Sequence, residues 1–152
     1  MKYLLPTFVF ILLFGISCSD SNKKSPFTFS VTFSKELGDQ AQDGRLLLML
    51  ANNDKSEPRF QISDGLNTQL VFGIDVEGMK PGQEIIVHSE NTFGFPIRSL
   101  SNIPAGDYFV QALINRYETF NLKTGHTVKL PPDQGEGQHW NIKPGNFFSK
   151  PL

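Results

Sequence analysis

An all-β fold, an antiparallel sandwich in a single domain, is predicted by three observations. Side chains alternate strictly from Phe27 to Ser34, a continuous apolar run extends from Arg45 to Ala51, and turn-forming residues recur at short intervals through the rest of the chain. In the first segment Phe27, Phe29, Val31 and Phe33 fall on one face and Thr28, Ser30, Thr32 and Ser34 on the other, the period of a half-buried strand. The run RLLLMLA is bounded by Asp43-Gly44 and Asn52-Asn53-Asp54. It is too short for an ordinary helix and suits a central strand covered on both faces.

Gln69 to Val76 and Glu84 to His88 supply two more strands. Between them lies Lys80-Pro81-Gly82, where proline presets one backbone angle and glycine accepts the positive angle of a type II turn. Ile103 to Asp107 turns the chain into Tyr108 to Asn115, whose alternation places it in the middle of a sheet. Thr119 to Leu122 and His126 to Leu130 bracket Lys123-Thr124-Gly125 as a hairpin, with Gly125 at the position that needs a positive angle. No segment sustains a 3.6-residue apolar period, and no internal repeat is visible. The expected architecture is an immunoglobulin-like or related antiparallel β-sandwich.

A length of 152 residues allows one domain. Hydrophobic residues at 39%, with 14 Phe against one Trp and three Tyr, suffice for a globular core. The net charge is −1 with both signs interspersed, so no basic stripe is available to neutralise phosphates. No nucleic-acid partner is expected.

The first residues carry a targeting pattern. Lys2 precedes an apolar stretch from Leu4 to Phe14, interrupted by Pro6 and Thr7, and small Gly15 and Ser17 lead to Cys18. The stretch is short for a bilayer core of about 30 Å and ends in a cleavage pattern, so it reads as an export signal. FGISC resembles a lipobox, with Gly15 where Leu is usual; Cys18 would then be acylated and become the new N-terminus. The other reading makes Cys18 a small hydrophobe within an ordinary leader. The expected organisation is a lipoprotein-type signal over 1–18, a polar tether over 19–26 and a sandwich over 27–152, anchored to a membrane through lipid on Cys18 and facing the periplasm or cell surface. With one cysteine the folded part contains no disulfide.

The residues carry no hydrolytic chemistry. Gly-x-Ser-x-Gly does not occur, and Ser63-Asp64 with His88 or His126 has no triad spacing. His126, Asp133, Glu136 and His139 are close in sequence but match no ligand motif; they read as turn and edge residues. Their carboxylates have no spacing that marks a glycosidase pair. No catalytic residue is assigned, and no metal or cofactor is expected. Trp140, Phe147 and Phe148 sit among Gln134, Gln138, Asn141 and Asn146 in a Gly- and Pro-rich stretch. Two readings stay open: the loop from Asp133 to Phe148 binds a carbohydrate or protein ligand by stacking and hydrogen bonding, or its rings close the sandwich and dock on a neighbouring domain.

Several stretches match one known pattern: Asp43-Gly44-Arg45, Glu57-Pro58-Arg59, Gln69 to Asp75 with Val71-Phe72-Gly73, Leu100 to Gln111 with Pro104-Ala105-Gly106-Asp107-Tyr108, and Tyr117 to Phe148. From about Gly44 to Pro151 the chain resembles the N-terminal β-rich region of secreted putative esterases, which carry a C-terminal α/β-hydrolase domain. The resemblance implies a non-catalytic sandwich that anchors, positions and packs against a hydrolase domain. That domain would follow Leu152, so this chain is expected to be a truncated front module. The alternative is a stand-alone lipoprotein that uses the Trp140 loop.

Overall fold

The computed structural model of the protein describes residues 27–133, 135–137 and 139–152. The leader with Cys18, the 19–26 tether, Gln134 and Gln138 lie outside the described residues. Among these, nine strands form three antiparallel sheets: β1 (Thr28–Val31), β2 (Gln42–Ala51), β3 (Leu70–Met79), β4 (Ile85–His88), β5 (Phe93–Phe95), β6 (Phe109–Arg116), β7 (Glu118–Asn121), β8 (Thr127–Leu130) and β9 (Phe147–Phe148). The main sheet has the order β5-β3-β2-β6-β9; β1 pairs with β4, and β7 with β8. The fold is all-β and a sandwich.

The apolar run becomes β2, the central strand of the five, with Leu46 to Ala51 all buried. Alternation sends Leu46, Leu48 and Leu50 to one face, where they meet Phe72 and Val76 of β3 and Ile114 of β6. The β1–β4 pair covers this first face with Phe29, Val31, Phe33, Ile85 and Val87. Leu47, Met49 and Leu113 point to the second face, where Ile62, Val71 and Trp140 cover them. Each side chain of this kind contributes about 1.5–3 kcal/mol when fully buried.

The Lys80 turn forms as its residues require, with Gly82 at φ +77° and Gln83 N–H donating to Lys80 O at 3.0 Å. It does not close a hairpin. β3 and β4 belong to different sheets, so the turn carries the chain from one layer to the other. The 123–125 hairpin also forms, with Gly125 at φ +85° and its N–H on Leu122 O at 2.9 Å.

Some boundaries differ from the pattern. β1 ends at Val31, where its partner β4 begins, although Phe33 keeps the same inward face. β3 runs on to Met79 because a bulge places Glu77 and Gly78 opposite Asp43; Gly78 adopts φ +59° and donates to Asp43 Oδ1 at 2.7 Å. β5 and β9 were not anticipated, being too short to show a period. Beyond β9 the pairing continues, since Ser149 N–H reaches Ala112 O and Leu152 exchanges two 3.0 Å bonds with Val110.

Gly44 marks the closest approach of β2 to β6: a methyl there would lie 2.3 Å from Asn115 O. Because that obstacle is backbone, Gly44→Ala is expected to destabilise the fold by about 3 kcal/mol or more, at the upper end of overpacking costs. Urea unfolding followed by circular dichroism measures it; a loss under about 1 kcal/mol would mean the two strands separate without cost.

Candidate functional site

Asp75, Arg45 and Asn115 form one rung across β3, β2 and β6 on the second face. Next to it, Phe93, Gly73, Leu47 and Leu113 form another, and Phe95, Val71, Met49 and Gln111 a third. Between the β5 edge and the 131–146 segment these rungs leave a cleft of about 560 Å³. Its floor is Leu47, Val71 and Gly73, with Phe93 and Phe95 on one side. Tyr117, Leu130, Pro131 and Trp140 form the other side. A volume of a few hundred cubic ångströms with aromatic walls and few polar groups is the usual form of a small-molecule site.

Gly73 is the bare spot of the floor. A methyl there would fall 2.8 Å from Phe93 Cζ and displace that ring from the wall. Arg45 lies at the same end, with Nε on Asp75 Oδ1 at 2.7 Å, Nη2 on Oδ2 at 3.2 Å and the guanidinium 4.9 Å from the Phe93 ring centre. The hydrogen bond to Asp75 raises the Arg45 pKa further above its ordinary value. Burial raises that of the Tyr117 hydroxyl, opposed by nearby Arg45.

The wall that carries Trp140 has little regular structure and is fastened by polar side chains. Asn146 accepts from Arg116 N–H at 3.0 Å and donates to Trp140 O at 2.8 Å and Asn115 Oδ1 at 3.2 Å. Buried Lys143 donates to Arg116 O at 2.8 Å; desolvation lowers its pKa, with Glu136 and Glu118 acting the other way. Arg59 Nη1 reaches Asn141 O at 3.0 Å, and its guanidinium stacks 3.8 Å from the Phe148 ring centre. Gln111, fully buried, donates to Glu57 Oε2 and Ser149 O and accepts from Arg59 N–H. Lys129 of β8 ties the hairpin to β2 opposite the β3 bulge, through Asp43 at 3.0 Å.

The residues singled out in the loop do not converge on one point. Trp140 lines the cleft and packs on Leu47, Met49 and Leu113. Asn141 offers its carbonyl to Arg59. Phe148 stays on the second face beside Arg59, while Phe147 lies on the first, 5.4 Å from the Phe33 ring centre. Neighbours in a strand point to opposite faces, so this pair cannot form one platform. Gln138 is outside the described residues.

Among the described residues no group of three or more His, Cys, Asp or Glu could hold a metal ion. Asp133 caps Gly135 N–H at 2.8 Å, and His126 is exposed at the hairpin. His88 belongs to the β1–β4 layer, whereas Ser63 accepts from Gly65 N–H in the β2–β3 connection.

The sequence reading passed over Arg45, Phe93, Phe95, Asn115 and Tyr117 as site residues. Asn115 and Tyr117, two apart at the end of a strand, carried the faint signal of a shared face.

Glu57 is held below the usual carboxylate range by its hydrogen bond from Gln111 and then by Arg59. Its contribution is therefore complete above the unfolded-state pKa, near 4.5, and is lost as pH falls through the lower folded-state value. Urea titrations from pH 7 to 2.5 should show the stability gap between the protein and Glu57→Gln closing as the solution is acidified. A constant gap would show that the Glu57 charge contributes nothing. No family model, no curated protein and no solved structure matches this chain.

Proposed function

We propose that the chain is an exported, lipid-anchored, non-catalytic β-sandwich module that holds a ring-bearing small ligand, a carbohydrate foremost, in the cleft on its second sheet face. The observation that carries this reading is the construction of the cleft: an apolar floor opened by Gly73, aromatic rings on two sides and polar groups gathered at one end. Sugars present apolar C–H faces to such rings and hydroxyls to such polar groups. The stretches that carry the resemblance to esterase N-terminal regions give support, since Arg45, Val71, Gly73, Tyr117 and Trp140 all line this cleft. The leader pattern ending at Cys18 supports the anchor.

A second reading, packing against an α/β-hydrolase domain, is favoured by one observation. Phe60, Phe109, Phe148 and Leu152 are exposed along and near the edge formed by residues 147–152. A neighbouring domain would cover such a patch.

Two measurements test the main reading. Labelled palmitate fed to expressing bacteria should enter the protein, and Cys18→Ser should abolish the label and shift the chain to the soluble fraction; label retained by the variant excludes this anchor. Trp140 is the only tryptophan, so its emission reports on the cleft. Soluble oligosaccharides should change that emission saturably and shield the ring from acrylamide. Emission indifferent to a panel of neutral and charged sugars counts against the cleft as a carbohydrate site.

A further inference from the structure

Resting on the cleft as a ligand site, we infer that it selects a ring that carries a carboxylate, as an acidic sugar does. The side-chain hydrogen-bonding capacity left in the cleft consists mainly of donors. Asp75 engages Arg45 Nε and Nη2, which leaves Nη1 without a hydrogen-bond partner among the described residues. Asn115 Oδ1 already accepts from Asn146, which leaves its amide nitrogen as the group without a partner among the described residues. The Trp140 indole N–H is a donor only, and the Tyr117 hydroxyl makes no hydrogen bond among the described residues. Among the described residues no Asp or Glu lines the cleft itself; Asp75 stands beside it, with its carboxylate taken up by Arg45.

The donors have an arrangement as well as a sign. Arg45 and Asn115 are cross-strand partners in one rung, Arg45 leaning to Asp75 and Phe93 and Asn115 to Asn146, so they stand on two sides of the same end of the cleft. Tyr117 lies two residues beyond Asn115 and close enough to Arg45 for the two to interact electrostatically. Donors on two sides of one end can meet the two oxygens of a carboxylate, which a single hydroxyl cannot match. Asp75 holds the guanidinium in place, so its free edge is ordered before a ligand arrives. From that end the floor runs over Gly73 and Leu47 to Val71, between Phe93 and Trp140, where a ring can lie flat. Lys143 also lines the cleft; one N–H of its ammonium is held on Arg116 O, and its charge adds to the positive character of the wall.

The test uses the full purified chain and three probes: a glucuronate oligosaccharide, the glucose oligosaccharide of equal length, and benzoate. Binding is followed by calorimetry and Trp140 emission. The acidic oligosaccharide should bind at least tenfold more tightly than the neutral one. Arg45→Gln should remove that advantage by weakening the acidic probe at least tenfold and the neutral one only severalfold, and Arg45→Lys should restore part of it. Tyr117→Phe, which deletes one hydroxyl, should weaken the acid severalfold and serves if Arg45→Gln disturbs the fold. Arg45-dependent binding of benzoate without glucuronate would support the carboxylate and assign the ring to an aromatic acid. Equal affinity for the acidic and neutral sugars would overturn the carboxylate inference and leave the cleft standing. No response from any of the three probes would overturn both.

Discussion

Burial of β2 on both faces is the constraint on which the rest of the structure depends. A strand with Leu46 to Ala51 all withdrawn from water must have a layer on each side, and the chain supplies two layers of different kinds. On the first face the cover is another sheet, β1 with β4, whose phenylalanines, valines and isoleucine interdigitate with the leucines of β2. On the second face it is largely irregular chain: the β2–β3 connection contributes Ile62, and the segment after β8 contributes Trp140. An irregular cover does not tile a sheet evenly. The cleft is the part of the second face that the loops leave open.

An irregular cover also has to be held without a ladder of its own. The buried polar residues Gln111, Asn115, Lys143 and Asn146 do this, each bonding between β6 or its neighbours and the connecting segments. Such groups are costly to bury unless paired, so their pairing specifies one placement of the segment. Trp140 is thereby held from two directions, by Asn146 on its carbonyl and by the apolar floor beneath its ring. Glu57 and Arg59 extend the same fastening to the strand edge, where Gln111 links Glu57 to Ser149.

Glycines decide where the layers come close and where they stay apart. Gly44 lets β2 and β6 approach beside Asn115, Gly73 leaves the floor open under Phe93, and neither needs a positive backbone angle. Both belong to stretches that a sequence reading can only mark as unusual, because the neighbour that each glycine accommodates lies on another strand.

The sequence by itself determined the class of fold, the central strand, the inward face of β1, the mid-sheet position of β6 and the two glycine turns, because these depend on the two-residue period and on local backbone angles. It also singled out Trp140, which lines the cleft. It could not show that the Lys80 turn changes sheets, that Phe147 and Phe148 part company, or that Arg45, Asn115 and Tyr117 share one end of a cleft. Those facts depend on which strands become neighbours and in which register. Short strands such as β5 and β9 carry too little pattern to declare their partners. Only the tertiary structure decided them, through pairings between residues far apart in the chain that the buried faces of β2 hold together.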